Sequence, residues 1–426
     1  MIGSGIFIVS ADIVRQTGSP AGLLAVWFFS GLMTIAGALA YGELAAMMPE
    51  AGGQYVFLRE AYGGVIAFCF GWTLLLVIQT GTIAAVAVAF GRFAGVLWPA
   101  IDQQLWFGIG NAGVSGERLA GVFVIVLLTL INLRGLNLGR IVQNIFTSAK
   151  VLSLVLIIVL GCVIAPSRRA IEANFGDLRA FVGSPPLHAP QDFGQGARLL
   201  AVFGAAMVGG LFSSDAWAGI TFAAPEVRDP QRNLPRALLI GTGVVIVLYL
   251  LTNLGYLCEL PANSTPYLRT ADMYTANFAR GIAGANSDRV ASAVMEMIWG
   301  PAGAAITAIL VMISTFGCAN GLVLTGARVI YAMALDGSFF ARASRVNAVS
   351  VPAFALILQG GWAALLTLSG SYSQLLDYVI FAQLLFYALT VTAVFVLRIR
   401  RPGVPRPYRA WGYPWIPLFI SPARSP

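Results

Sequence analysis

The charged residue that most needs an explanation is Lys150, the single lysine of the chain, which stands in the hydrophobic stretch IFTSAKVLSLVLII (residues 145–158). A cation in an apolar helix is costly inside a membrane, and such residues usually face the protein interior and mark a functional site. The alternative is that the side chain extends towards the membrane surface near Arg140. The sequence favours the buried position, in which the ammonium needs oxygen partners.

Two short stretches interrupt the hydrophobic pattern with small or polar residues, MIGSGIF (residues 1–7) and LFSSDAW (residues 211–217). An unwound stretch frees N–H groups, which suit a carboxylate, and carbonyl groups, which suit an ammonium. An α-amino acid carries both of these groups on one carbon. Close packing through small residues would explain a single break, but two breaks at corresponding positions indicate a transporter binding site.

The composition indicates a protein with many membrane spans. The chain is 58% hydrophobic and 10% charged, with a mean hydropathy of +0.80, whereas soluble domains carry about 25% charged residues. Spans of about 20 apolar residues must be helical, because lipid offers their backbones no hydrogen bonds. The predicted spans are 21–47, 66–97, 118–133, 141–165, 198–224, 235–258, 297–335, 351–369 and 373–397, with a half-span at 2–14 and an aborted span at 414–420.

Arginine placement predicts the orientation, because cytoplasmic short loops are enriched in basic residues. If the loop after span 21–47 is cytoplasmic, most short-loop arginines fall on the same side, including the cluster from Arg398 to Arg409. The net charge of +8 therefore follows from membrane topology and needs no nucleic-acid partner.

The two breaks divide the chain into similar halves. Residues 1–165 hold helices 1–5, with helix 1 cut short, and residues 198–400 hold helices 6–10. Residues 166–197 are expected to form an external loop, and residues 401–426 part of an eleventh helix. Because five is odd, the second half enters from the opposite face. The predicted fold class is therefore an all-α polytopic membrane protein with a five-plus-five inverted repeat and broken helices 1 and 6.

Five stretches carry a resemblance to a known family: IGSGIF (2–7), GELAAMMPEAGGQYVFLREAYG (42–63), VQNIFTSAKVLSL (142–154), EVRDPQRNLPRA (226–237) and STFGCANGLVLTGARVIYAMALDG (314–337). In these stretches the chain resembles the amino acid–polyamine–organocation (APC) superfamily, and within it the L-type amino acid transporter-like permeases. The resemblance implies the LeuT-like inverted-repeat fold and amino acid transport by alternating access.

The resemblance also implies a substrate site in and beside the two unwound segments. Its expected residues are Gly3, Ser4, Gly5, Phe212, Ser213, Ser214, Asp215 and Trp217. The backbone of the first segment would receive the substrate carboxylate, and the carbonyls of the second would hold the ammonium. The phenylalanine would lie over the substrate as a gate.

For Lys150 the resemblance implies the role of a built-in cation. Sodium-coupled relatives hold Na⁺ between helices 1, 5 and 8, and in sodium-independent members a lysine on helix 5 takes that place. The Lys150 ammonium is then expected to contact carbonyls near Ile2 and Gly3 and a hydroxyl of helix 8, for which Ser314 and Thr315 are the candidates.

The chain departs from the family pattern at Asp215 and Ala216, where many relatives have glycines, and at Ala218, where they have an asparagine. The Asp215 carboxylate has three open interpretations: it accepts bonds from local N–H groups, carries a proton, or attracts a cationic substrate. Few residues precede Ser4, and SPARSP stops the last apolar stretch. We therefore expect an incomplete version of a longer protein, truncated at both ends, that does not transport by itself.

The predicted function is sodium-independent, secondary-active transport of amino acids, with exchange and proton coupling left open. The alternatives are a polyamine or cationic amine transporter, or a transport-inactive fragment or subunit of the same fold. One histidine and no HExxH-like pattern argue against a membrane enzyme. No cofactor, metal or nucleic acid is expected; the partners are an amino acid and the lipid bilayer, with the oligomeric state open. The expected location is the cell membrane, as a bacterial inner membrane.

Overall fold

The computed structural model of the chain describes residues 2–101, 104, 106–109, 112–182, 195–264, 273–370 and 372–415. For residues 109, 112, 136–145, 195–198 and 273–275 it describes the backbone alone. The aborted span expected at 414–420 therefore lies almost entirely outside the described residues.

The first half of the chain, up to the external loop, is helical apart from one short hairpin. Its helices are α1 (Gly5–Thr17), α2 (Pro20–Met47), α3 (Gln54–Tyr62), α4 (Gly64–Thr73), α5 (Gln79–Leu97), α6 (Gly116–Leu133) and α7 (Leu136–Val159). The π-helical turn Leu74–Ile78 joins α4 to α5, and a second π-helical turn, Leu160–Ile164, extends α7. The antiparallel strands β1 (Phe107–Ile109) and β2 (Ala112–Val114) lie between α5 and α6.

The second half is also helical. After the loop helices α8 (Arg168–Phe175) and α9 (Leu178–Val182) come α10 (Gln195–Ser214), α11 (Gly219–Phe222), α12 (Pro230–Glu259), α13 (Met273–Arg280), α14 (Val290–Leu335), α15 (Ala353–Ser369) and α16 (Tyr372–Arg400). Gly300, with φ 64°, and the following Pro301 kink α14. We call the ten residues of α14 before the kink, 290–299, the lid.

The predicted spans coincide with observed helices. Within the described residues, 7 helices are long and apolar enough to cross a membrane, and two shorter apolar helices lie at Leu199–Ser214 and Ala353–Ser369. Together these account for the nine full spans predicted, and α1 corresponds to the half-span. The all-α polytopic fold class is confirmed, whereas the division into repeats at 165 and 198 stays a prediction.

The turn between α1 and α2 shows how the sequence sets a helix boundary. α1 ends at Thr17 because Gly18 adopts the left-handed conformation, φ 68°, and donates its N–H to Val14 O at 2.7 Å. Ser19 then caps α2 by accepting a hydrogen bond from Gly22 N at 3.0 Å. Pro20 follows at the first helical position, where its missing N–H costs nothing.

The packing of α1 explains why a short helix can lie in the centre of the protein. Its side chains Ile6 and Phe7 are fully buried, between α10, α2 and α14. Ser10 Oγ donates to Asn253 Oδ1 of α12 at 2.6 Å, so the polar group of this buried face is satisfied. α1 is therefore a core element.

Candidate functional site

The two interrupted segments meet in the middle of the molecule. α1 begins at Gly5 and α10 ends at Ser214. A side chain at Gly5 would collide with Ser213, so glycine permits the contact. Ser213 Oγ donates to Gly209 O at 2.8 Å, and Tyr249 OH donates to Ser213 O at 3.1 Å. The N-terminus of one helix thus lies beside the C-terminus of another, which brings N–H and carbonyl groups of opposite partial charge together.

The residues next to α1 are joined to α14 and α16. Ser4 Oγ shares a hydrogen bond of 3.2 Å with Tyr372 OH. Ser314 Oγ donates to Gly3 O at 3.4 Å, whereas Thr315 Oγ1 donates to carbonyls of its own helix at 2.9 and 3.0 Å. The Ser314 side chain therefore contacts the first interrupted segment, whereas the Thr315 hydroxyl is bonded within its own helix, α14.

Lys150 is 5% exposed, so it does not extend to the membrane surface. A Cβ added at Gly317 of α14 would lie 3.3 Å from Lys150 Cε. Lys150 lines a cavity of about 160 Å³ together with Asp215 and Cys318. Among the described residues the ammonium has no hydrogen bond or ion pair, so its expected contacts with helices 1 and 8 are not formed in this state.

Asp215 follows directly after α10, in the non-helical stretch that ends at Ala218. Tyr387 OH of α16 donates to Asp215 Oδ1 at 2.5 Å. The Trp217 ring packs at centroid distances of 4.8 Å from Tyr41 and 5.2 Å from Tyr387. Sequence reasoning missed both tyrosines because aromatic residues are common in apolar spans; the signal for Tyr387 was that a buried acid needs a nearby donor.

A second cavity, of about 480 Å³, lies among α2, α10 and α16. Asp215, Gln383 and Tyr387 line both cavities. Within the described residues, Gln383 Oε1 and Tyr41 OH are buried without a hydrogen-bond partner. No group of three or more His, Cys, Asp or Glu side chains in that part of the chain could hold a metal ion. The charges facing the smaller cavity thus come from Lys150 and Asp215.

Phe212 and Tyr372 form an aromatic layer beside the two interrupted segments. The buried Phe212 ring meets the Tyr372 ring edge-on, at a centroid distance of 6.1 Å. The Arg92 guanidinium lies over the Tyr372 ring, 5.2 Å from its centroid. A cation over an aromatic face is attracted by its negative centre, so Arg92 holds Tyr372 in the closed layer.

Ion pairs lie outside the aromatic layer and tie it to the lid. Arg92 approaches Glu117 at 3.7 Å and Asp288 at 3.6 Å, and Arg15 of α1 pairs with Asp288 at 2.7 Å. Asp288 lies two residues before the lid part of α14. These contacts join α1, α5 and α6 to the segment that leads into the lid.

On the arginine-rich face a buried carboxylate collects partners from the far end of the chain. Glu43 of α2 accepts hydrogen bonds from Arg398 at 2.6 and 2.9 Å and from Ala410 N at 2.8 Å. Arg406 Nε also lies 3.6 Å from Glu43 Oε1. We call Glu43, Arg398, Arg406 and Ala410 the inner clamp. It fastens α2 to α16 and to the segment that follows α16.

The comparisons with known proteins cover nearly the whole chain. The model of the amino acid permease family matches residues 1–422. The chain is 29% identical to b(0,+)-type amino acid transporter 1 of Mus musculus over 423 residues, which are 99% of this chain and 76% of the mouse protein. It is 30% identical to large neutral amino acids transporter small subunit 2 of Mus musculus over 410 residues, 96% of this chain and 70% of that protein. The matched residues include both interrupted segments and Lys150.

Proposed function

The chain belongs to the amino acid permease family, and from that membership we propose that it carries amino acids across a membrane by alternating access. The observation that carries the proposal is the meeting of two broken helices at a buried site beside Lys150 and Asp215. An α-carboxylate and an α-ammonium need opposite partial charges a few ångströms apart, which two facing helix ends supply.

The substrate carboxylate is assigned to the start of α1, at Gly3, Ser4 and Gly5. The first N–H groups of a helix lack intrahelical partners, so they can donate to an anion. The substrate ammonium is assigned to the carbonyls of Ser213 and Ser214, where α10 ends. Both segments are buried, so these polar interactions form away from water and gain strength.

The external side of the substrate is assigned to Phe212, and the opposite side to Trp217. The Phe212 ring belongs to the closed aromatic layer, which supports its role as a gate. Trp217 packs on Tyr41 and Tyr387 beside the larger cavity, so it forms a wall against which an apolar side chain can pack.

Transport is proposed to be independent of sodium, because Lys150 supplies a fixed cation to the site. Lys150 lines the smaller cavity, so a small movement of α1 or α14 could bring partners to its ammonium. Ser314 of α14 is already bonded to Gly3, just before α1. In the state that binds substrate, the ammonium is proposed to contact Gly3 O and the hydroxyl of Ser314 or Thr315. This contact would couple α7 to the movement of α1.

Asp215 extends the proposal to the substrate side chain. Its carboxylate lines both cavities and accepts from the neutral Tyr387, and it has no cation within 4 Å among the described residues. A buried carboxylate without a cation attracts one, so we propose that substrates with basic side chains are favoured. A polyamine has no carboxylate for the start of α1, so that alternative is disfavoured.

The location has a general part, a membrane, and a specific part, the kind of membrane. The apolar helices place the chain in a membrane, and the arginine asymmetry supports a cytoplasmic position for the inner clamp. That this membrane is a bacterial inner membrane is part of the proposal, which fractionation of cells expressing a tagged chain would test.

The proposed transport is tested with purified protein in liposomes that contain unlabelled amino acid. We expect saturable entry of radiolabelled amino acid, faster than in unloaded vesicles if exchange operates, and unchanged when Na⁺ is replaced by choline. The same assay is run on residues 1–426 and on a version carrying a relative's segments at both ends. Absence of uptake by both folded proteins would overturn the transport proposal, and saturable dependence on Na⁺ would overturn the role of Lys150.

A further inference from the structure

α7 and α12 touch through glycines near their ends on the external side, opposite the arginine-rich face. A side chain at Gly161 would lie 3.0 Å from Gly255 O, and one at Gly255 would lie 3.4 Å from Ile157 O. Small residues let helix backbones approach closely in a membrane. The junction therefore brings the side chains beside these glycines within reach of one another.

Each of the two glycines has a cysteine near it in sequence. Cys162 directly follows Gly161, and Cys258 lies about one helical turn after Gly255. A Cβ added at Gly255 would lie 3.6 Å from Cys162 Sγ, so this thiol reaches the face of α12 on which Cys258 lies. Both thiols are free and partly accessible. Cys162 belongs to the π-helical turn Leu160–Ile164, a type of turn that is frequent at functional sites.

The loop after α7 holds the junction in place. Ser167 N donates to Cys258 O at 3.0 Å. Asn174 Nδ2 of α8 donates to Leu257 O at 2.7 Å and to Leu260 O at 2.9 Å. These bonds hold the backbone at and on both sides of Cys258.

From this geometry we propose that Cys162 and Cys258 are a modification site, at which a small disulfide-bearing oxidant on the external side joins α7 to α12 by a disulfide. Proteins that face an oxidising compartment form and keep such bonds. The other two cysteines offer a contrast, because Cys69 is exposed on α4 and Cys318 lines the smaller cavity of the candidate site.

The reaction is two successive thiol–disulfide exchanges. One thiol of the pair loses its proton to water and attacks a sulfur of the oxidant, which forms a mixed disulfide and expels one half of the oxidant as a thiolate. The second thiolate of the pair then attacks the protein sulfur of the mixed disulfide and expels the other half. The two cysteines lose two electrons and two protons, and the oxidant gains both as two thiols.

The disulfide would connect the two halves of the chain. α7 lies in the first predicted repeat and α12 in the second, so the bond closes a long loop and restricts the unfolded chain. We expect the oxidised protein to melt about 4 °C higher than the reduced protein.

The test uses the full chain in lipid nanodiscs, equilibrated with defined ratios of reduced to oxidised glutathione. After alkylation and digestion, mass spectrometry counts the modified thiols and identifies linked peptides. We expect excess oxidised glutathione to protect two of the four cysteines and to yield a peptide linking Cys162 to Cys258, and dithiothreitol to reverse both changes.

Matched variants separate the pair from the other cysteines. Cys162→Ser and Cys258→Ser should each abolish the linked peptide, whereas Cys69→Ser and Cys318→Ser should keep it. Four alkylatable thiols in the oxidised wild-type protein would overturn the proposal. Linkage of Cys162 or Cys258 to another cysteine, or between two chains, would overturn it as well. Because the decisive result comes from the wild-type protein, a poorly folded variant does not remove the test.

Discussion

At the scale of single residues, the strongest expectation concerns Lys150. Replacing it by methionine keeps a long apolar stem and removes the charge, so the helix should still pack against Gly317. We expect initial uptake to fall at least about tenfold, which corresponds to 1.4 kcal/mol, because the fixed cation is lost. Uptake rates in liposomes, normalised to folded protein, measure the effect.

A nearby position on α7 supplies the control for Lys150→Met. Among the described residues, Ser153 Oγ donates to the carbonyl of Lys150 alone, at 2.7 Å, so Ser153→Ala perturbs the same turn without touching the ammonium. Ser153 is 1% exposed, so the change loses one buried hydrogen bond within the helix, worth about 1 kcal/mol of stability. The variant should transport within about twofold of the wild-type protein, because the ammonium is unchanged. Equal uptake by the wild-type protein and Lys150→Met would show that the lysine has no part in transport.

Asp215 allows a prediction about substrate choice. Asp215→Asn keeps the shape of the side chain and removes the charge that the proposal assigns to a basic substrate. A buried charge-assisted bond contributes about 1.5–3 kcal/mol, so uptake of arginine should fall by about 10- to 100-fold relative to leucine. Competition between the two labelled amino acids measures the ratio.

Tyr387→Phe is the matched comparison, because it removes the donor to Asp215 and leaves the carboxylate in place. It should retain the preference for arginine over leucine. If Asp215→Asn transports both amino acids in the wild-type ratio, the carboxylate serves only its local hydrogen bond.

The Phe212 gate is tested by removing its ring. Phe212→Ala opens the aromatic layer beside Tyr372, so water reaches the site. Transport per amount of folded protein should therefore fall. Phe212→Tyr keeps a ring there and serves as the control. Normal transport by the alanine variant would mean that Phe212 contributes packing alone.

At the scale of secondary-structure elements, the external closure depends on Arg92, which joins α5 to the lid and to Tyr372. Arg92→Gln removes the ion pairs and the cation–aromatic contact together, so the closed state should lose stability. The measurement uses a parent protein in which the native cysteines are changed to serine and Ser214 to cysteine. We expect this cysteine to react at least about fivefold faster with a polar thiol reagent added outside when Arg92→Gln is present, because the closed state loses about 1 kcal/mol of stability.

Arg15→Gln gives the comparison for this prediction. It removes the pair with Asp288 and leaves the contact with Tyr372 intact, so its effect on labelling should be smaller. Equal labelling rates in the parent protein and the Arg92 variant would show that these ion pairs do not stabilise the closed state.

The elements also show what the sequence could predict. The breaks at 1–7 and 211–217 were recognisable because glycine and serine interrupt the apolar pattern of a span. The spans were recognisable because the length of each apolar stretch matches the thickness of the bilayer. The π-helical turn Leu160–Ile164 was not, because Gly161 within it packs against Gly255, which is distant in sequence. The hairpin at 107–114 was not, because each of its strands has only three residues. The cysteines were likewise uninformative until Gly161 and Gly255 were seen to touch.

At the scale of the whole molecule, the inner clamp should contribute strongly to stability. Glu43→Gln leaves the partly exposed Arg398 guanidinium, whose side chain is 21% exposed, without its carboxylate. A hydrogen bond to a charged group contributes about 1.5–3 kcal/mol. We expect a lower midpoint of denaturation for Glu43→Gln, measured by loss of helical circular dichroism in denaturing detergent.

The double variant Glu43→Gln/Arg398→Gln tests whether the two residues act as a pair. Its midpoint should lie above the value obtained by adding the two single effects, because the double variant removes both partners of the Glu43–Arg398 pair. Strict additivity would show that the stabilisation by Glu43 comes from its bond with Ala410 N.

The inner clamp also has a consequence for biosynthesis. Glu43 and Arg398 are 355 positions apart, so at about 5–20 residues per second the ribosome needs about 20–70 s to supply the arginine after the glutamate. During that interval α2 is already made, while its carboxylate lacks the partner that lets it be buried. We therefore expect the Glu43 carboxylate to stay in water at the arginine-rich face, and α2 to reach its final position late, after α16 has been made.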